Sequence, residues 1–137
     1  MEKVIEIFEK KGYSLTWDED EQNWKFMFNN EKALLNIIDI RDRIIVRMTL
    51  RRVYYVSGHY NDEMLAFIDS VNQCHVGRLI SVKTEPDRMY SGTHINVISS
   101  FECNKLSKLE ECITALINDL ESLCEDFFRD VPYRYEC

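Results

Sequence analysis

Between Tyr13 and Leu50 the apolar residues of this chain recur with period two, and between Leu106 and Phe127 they recur at steps of three and four. Alternation places apolar side chains on one face of a strand, and the three-and-four spacing places them on one face of a helix. A chain that switches between the two must build a sheet and lay helix over it. The pattern predicts an α+β two-layer fold, an antiparallel sheet of about five to six strands with helices on one face, in the order α-ββββ-α-ββ-α.

The individual elements follow from local signals. Residues 2–11 read as a helix with Val4, Ile5 and Phe8 on one side, and Gly12 stands where a helix end favours a left-handed residue. Tyr13, Leu15 and Trp17 begin the strands, and the polar run Asp18-Glu19-Asp20-Glu21-Gln22 ends the first. Trp24, Phe26 and Phe28 alternate with Lys25 and Met27 as the returning strand, and Asn29-Asn30 suits a tight hairpin turn. Residues 32–40 are apolar on both faces, which reads as a central strand. Ile44, Val46, Met48 and Leu50 then alternate with Ile45, Arg47, Thr49 and Arg51 as a half-buried strand. Asn61 is a suitable N-cap for a second helix over 62–75, with Met64, Phe67, Ile68, Val71 and His75 clustered on its wheel and Gly77 after its end. Strands over 79–84 and 89–101 flank a turn at Thr84-Glu85-Pro86-Asp87-Arg88. The last helix, 106–128, carries Leu106, Leu109, Ile113, Leu116, Leu120, Leu123 and Phe127, with Ser107 and Glu110 at capping-box spacing. One domain over residues 1–131 with a short tail over 132–137 is the expected organisation.

Composition narrows the function classes. Apolar residues make up 45% and aromatic residues 12% of the chain, enough to fill a core. The formal net charge is −7, from 17 Lys+Arg and 24 Asp+Glu, which argues against a nucleic-acid partner. Gly12, Gly58, Gly77 and Gly92 are too scattered to form a phosphate-cradling loop. No run approaches the ~20 apolar residues of a membrane span, and Met1–Ile7 lacks the pattern of a secretory leader. The cysteines, Cys74, Cys103, Cys112, Cys124 and Cys137, are odd in number and form no CxxC pair, so free thiols and a cytoplasmic location are expected.

Reactive constellations are missing. His59, His75 and His94 fall in a loop, on a helix and in a strand, none spaced with a carboxylate for metal binding or base catalysis; His94 reads as a solvent-facing strand residue. Cys103, before the last helix and near Lys105, comes nearest to a nucleophile but reads as an ordinary thiol. The run Asp18–Glu21 lacks the spacing and bend glycine of a calcium loop. Cys74, Cys112 and Cys124 read as small hydrophobes on apolar helical faces. The chain is therefore expected to be no enzyme and to need no cofactor or metal.

What remains is surface. Arg41, Arg43, Arg47, Arg51 and Arg52 are clustered, with Arg47 and Arg51 on the same outward strand face, where they could meet an acidic helix. Leu65 and Val76 lie off the main stripe of the second helix, and Cys112 and Phe128 widen the arc of the last. Arg47, Arg51, Leu65, Val76, Cys112 and Phe128 are thus the candidate partner-binding residues, for a basic or amphipathic protein segment or a second subunit. A pocket lined by Trp17, Trp24, Tyr54, Tyr55 and Tyr90 would make a small-molecule sensor instead. An acidic immunity or inhibitor protein is a third reading.

The opening helix ending in Lys11-Gly12-Tyr13 and the aromatic hairpin of Trp17, Trp24, Phe26 and Phe28 come first. The helix Asn61–Gly77 with Phe67 and Val71-Asn72, and the closing helix ending in Phe127-Phe128, follow. In this order they resemble the bacterial YbjN-like family, provisionally named sensory-transduction regulators, whose fold is similar to type III secretion chaperones. The resemblance spans about residues 2–130, although four strands before the second helix are one hairpin more than the family pattern. It implies a non-catalytic protein that binds other proteins, chaperone-like or regulatory, commonly as a homodimer, and it carries over no individual residue.

Overall fold

In the computed structural model, which describes residues 2–74 and 80–130, the chain runs α1 (Glu2–Lys10), β1 (Thr16–Asp18), β2 (Asn23–Phe28), β3 (Glu31–Ile40), β4 (Arg43–Val56), α2 (Asn61–Gln73), β5 (Ile80–Pro86), β6 (Thr93–Cys103) and α3 (Leu109–Asp130). The expected α+β class and element order are both observed. The six strands form one sheet in the order β1-β2-β3-β4-β6-β5, every neighbouring pair antiparallel.

Alternation decides which side of the sheet is covered. Phe26 and Phe28 of β2, Ala33 and Leu35 of β3, Val46, Met48 and Leu50 of β4 and Ile95 and Val97 of β6 point to one face and are buried. Against them pack Val4, Ile7 and Phe8 of α1, Met64, Ile68 and Val71 of α2, and Leu109, Ile113, Leu116, Leu120, Leu123 and Phe127 of α3. All three helices lie on this one face, and the other faces solvent.

Several boundaries differ from expectation for local reasons. Leu106 does not belong to the closing helix stripe: it lies 68% exposed in a single 3-10 turn, Leu106–Lys108, and the helix starts at Leu109 without the Ser107–Glu110 capping box. Tyr13 precedes the first strand and closes an aromatic cluster with Phe8, Phe26 and Phe28. The Asn29-Asn30 turn forms as expected, with φ of 47° and 67°, the left-handed pair that matches strand twist in a two-residue hairpin. Asn61 is the first residue of α2, not its cap; its amide donates to the Ser91 carbonyl and accepts from the Thr93 hydroxyl. Pro86 ends β5, and Asp87 makes the turn in its place by accepting from the Met89 and Tyr90 amides, both at 2.8 Å. Cys74 is exposed beyond the end of α2, not on its apolar face. The expected end of that helix at His75 and Gly77, the candidate residue Val76 and the tail 132–137 lie outside the described residues.

Candidate binding surface

The uncovered face of the sheet is built by every second residue of five strands. Pairing sets these residues in rows. Ile38, Ile45 and Glu102 form one row, Asn36, Arg47 and Ser100 the next, and Leu34, Thr49 and Ile98 the third. Met27 and Lys32 sit opposite each other beyond them. The result is aliphatic surface in water: Met27 is 57%, Ile38 54% and Ile40 42% exposed, with Leu34, Ile45 and Ile98 half-buried beside them. The strand over 32–40 is interior to the sheet, as expected, but its second apolar face has no layer over it. An open cleft of about 850 Å³ adjoins this surface, with Lys25, Met27, Lys32, Leu34, Arg51 and Arg52 on its walls.

The cations of the face divide into paired and unpaired. Arg52 has a φ of +57° at a break in the β4–β6 register between Leu50 and Tyr54, a bulge. Its amide donates to Asn96 Oδ1 at 2.8 Å, which holds the bulge closed. Strict alternation would send Arg51 and Arg52 to opposite faces; across this break β4 has two residues more than β6, and both arginines reach Glu85. Arg51 grips that carboxylate with two bonds of 2.9 Å, Arg52 donates to it at 2.9 Å and Asn96 at 3.3 Å. The two guanidinium groups and the Asn96 amide hold the Glu85 carboxyl down at about 2, with the Arg51 bond the largest cause. Arg43 pairs with Glu102, and Lys25 with Asp18 and Glu21. Lys32, Arg47 and Lys83 pair with no carboxylate among the described residues.

His94 is not the solvent-facing residue that alternation suggested. It is half-buried, its Nε2 lies 2.7 Å from Asp87 Oδ2, and its ring packs on Tyr55 at 5.1 Å. The Met89 and Tyr90 amides and His94 together hold the Asp87 carboxyl at about 2. Both carboxylate oxygens are thus occupied in fixing the β5–β6 turn, and neither residue lines the cleft. Cys103 is buried, its thiol donating to the Lys105 carbonyl at 3.0 Å and touching Cys112, whose thiol is pushed up mainly by burial. Burial also raises Cys124, to about 11, so the Cys112 and Cys124 thiols stay protonated near neutrality.

The candidate partner-binding residues do not converge. Arg47 and Arg51 share the open face, though Arg51 is committed to Glu85. Leu65 is exposed on α2, by a small cavity of about 180 Å³ that includes Thr84 and Pro86. Phe128 is 41% exposed at the far end of α3, its ring against Tyr54 and Phe127, and Cys112 lies near that helix's start. The aromatics considered for a pocket are also dispersed. Trp17 packs edge-on to Trp24, Tyr54 meets Phe127 under the helices, Tyr55 meets His94 on the opposite face, and Tyr90 is exposed in the turn. The exposed aliphatic row of Met27, Ile38 and Ile40 was not singled out from the sequence; the signal was the second apolar side of residues 32–40, in a fold with helices on only one face.

Compared with known proteins, the fold is similar to that of YbjN from E. coli, a provisionally assigned transcription regulator whose crystal structure superposes with a TM-score of 0.61. The match covers 90% of this chain and 84% of that one at 11% sequence identity, so it establishes a YbjN-like fold and nothing finer. No family model and no curated protein sequence matches the chain. Among the described residues, no helix is long and apolar enough to cross a membrane, and no three His, Cys, Asp or Glu side chains gather as a metal-binding group.

Proposed function

We propose that this chain is a non-catalytic, cytoplasmic protein-binding module with a regulatory or chaperone-like role. The observation that carries the reading is the open sheet face, where aliphatic side chains lie in water in rows divided by Asn36, Arg47 and Ser100, although the same sheet buries most of its other side. Exposed apolar surface of this kind marks interaction sites in soluble proteins. The provisional assignment of YbjN as a transcription regulator is consistent with a regulatory part. A homodimer is part of the proposal, seated on the helix layer where Leu65 and Phe128 are exposed. Light scattering at rising concentration tests it, and a strict monomer overturns that part.

Photocrosslinking tests the docking face. A benzophenone amino acid at position 38, on the open face, is expected to give a discrete protein adduct in cells, and the same group at Glu110, on the helix side, is expected not to give that adduct. No adduct from position 38, in a variant that melts like the parent, overturns the reading.

A further inference from the structure

Charge in this molecule is segregated by layer. The chain as a whole carries −7, and α3 holds Glu110, Glu111, Asp119, Glu121, Glu125 and Asp126. The open sheet face is the opposite: its strand carboxylates Glu85 and Glu102 are taken by arginines, Asp18 and Glu21 at its β1 side by Lys25, Glu31 borders the cleft, and Lys32, Arg47 and Lys83 remain unpaired among the described residues. Resting on the protein-binding reading above, we propose that the occupant of this face is an acidic amphipathic helix of a partner protein, lying along the strands.

The geometry favours a helix. Successive same-face rows along a strand are about 6.7 Å apart, so the Ile38–Ile45 and Leu34–Ile98 rows, two steps apart, are separated by about 13 Å, and residues i and i+8 of a helix are about 12 Å apart along its axis, with i+4 midway between them. A helix aligned with β3 and β4 therefore sets one apolar side chain on the Ile38–Ile45 row and another on the Leu34–Ile98 row. Between those rows stands Arg47, flanked by Asn36 and Ser100, where a carboxylate from the helix meets an unpaired guanidinium. Addition of a strand to the sheet edge at β5 is obstructed at Val82, whose outward amide and carbonyl are both bonded to Asn72. A second copy stacked on the same face would bring Lys32, Arg47 and Lys83 against their counterparts with both strand carboxylates already engaged. A nucleic acid would meet aliphatic rows with no exposed aromatic platform among them on which a base could stack.

The test uses the full chain and two fluorescent peptides of about 18 residues, long enough for five helical turns. Both carry leucine at i, i+7 and i+8, one with glutamate and the other with lysine at i+3 and i+4 and on the flanks. Anisotropy is expected to show saturable binding of the glutamate peptide, weakened at least about tenfold by Arg47→Glu or Ile38→Asp and by raising salt from about 50 to 500 mM. Ala66→Asp, at an exposed position of α2 in the helix layer, should leave it unchanged. Thermal melts establish that each variant is folded. Equal or tighter binding of the lysine peptide overturns the proposal, as does displacement of the glutamate peptide by a single-stranded oligonucleotide. So does failure of either peptide to bind. In that last case a protein adduct from position 38 keeps the docking-face reading standing while the acidic helix falls; without the adduct both fall.

Discussion

The side chain of Asn72 is bonded to both backbone polar groups of Val82: its Nδ2 donates to the Val82 carbonyl at 3.1 Å, and its Oδ1 accepts from the Val82 amide at 2.8 Å. Val82 sits in the middle of β5, one of the two edge strands, opposite Val97. Its outward groups are what an unpaired edge offers to another strand. A carboxamide from α2 occupies both, so one residue ties the helix to the sheet and closes the edge at its midpoint.

Replacing Asn72 by Ala is expected to cost about 1–3 kcal/mol, since two partly buried groups lose their partner. It should also make the protein self-associate with rising concentration. Asn72→Asp should be no better, because a carboxylate repels the Val82 carbonyl it faces. Urea unfolding and light scattering measure the two effects. An Asn72→Ala protein as stable and as monodisperse as its parent would show that the edge is closed by other means.

The bulge at Arg52 makes a second prediction. A non-glycine residue at φ +57° carries strain of about 1–2 kcal/mol, and here the Asn96 side chain offsets it by accepting from the Arg52 amide. Asn96→Ala should therefore destabilise by about 1 kcal/mol in urea unfolding. Arg52→Gly relieves the strain but removes an exposed ion pair worth less than that. The Asn96→Ala loss should shrink when Arg52 is already Gly, a coupling that a double-mutant cycle reads directly.

These two sites also mark where the sequence stops being informative. The strands from β2 to β4 were legible because Phe26 and Phe28, then Val46, Met48 and Leu50, alternate without interruption, and burial of one face fixes their register. The bulge was not, because the doublet Arg51-Arg52 contains no glycine to announce a positive φ. Asn72 was visible only as part of a resemblance, since a helix wheel does not say which polar residue meets a sheet edge. His94 and Asp87 are seven residues apart across a turn whose length depends on Asp87 bonding to Met89 and Tyr90. Arg47 stands out by its outward position, whereas Ile38 and Ile40 read only as part of a central strand that is apolar on both faces. Hydropathy along one strand records which side is apolar and carries no information about whether another layer lies on it.

Two carboxylates predict the acid limb of stability. Glu85 and Asp87 are held at about 2, below ordinary values of 4.5 and 3.8. Their folded-state pKa values are depressed, so what they contribute is complete above about pH 4.5 and is lost as pH falls toward 2. Glu85→Gln should lower the unfolding free energy measured in urea at pH 7 by about 1 kcal/mol, in a pair that solvent still reaches. The difference from the parent should vanish near pH 2. A gap that persists unchanged at pH 2 would assign the effect to packing and not to charge.

Phe127 and Phe128 are neighbours with opposite expectations. The Phe127 ring is fully buried and packs edge-on against Tyr54 at 5.7 Å and Phe67 at 5.5 Å, joining α3 to β4 and α2. Phe127→Ala should cost about 3–5 kcal/mol, a large fraction of the 5–15 kcal/mol typical of a domain. Phe128, much of it in water in a single protomer, should cost under half as much at concentrations below those at which the proposed dimer forms. Equal losses in denaturant unfolding would mean that Phe128 is covered, as it would be in a dimer formed through this end of α3.

The open face is tested most directly by two residues of one strand. Leu35 and Ile38 lie three positions apart on β3 and point to opposite sides, Leu35 with no exposed surface and Ile38 with more than half. If Ile38 were structural, removing its side chain would open a cavity, as it must for Leu35. Leu35→Ala is expected to cost about 2–5 kcal/mol. Ile38→Ala forfeits only its cross-strand contact with Ile45, about 0.2–1 kcal/mol. An apolar residue so exposed, if it contributes so little to its own fold, stands there at a cost in solubility that binding would explain. A measured loss for Ile38→Ala approaching that of Leu35→Ala would show that the face is already covered in solution.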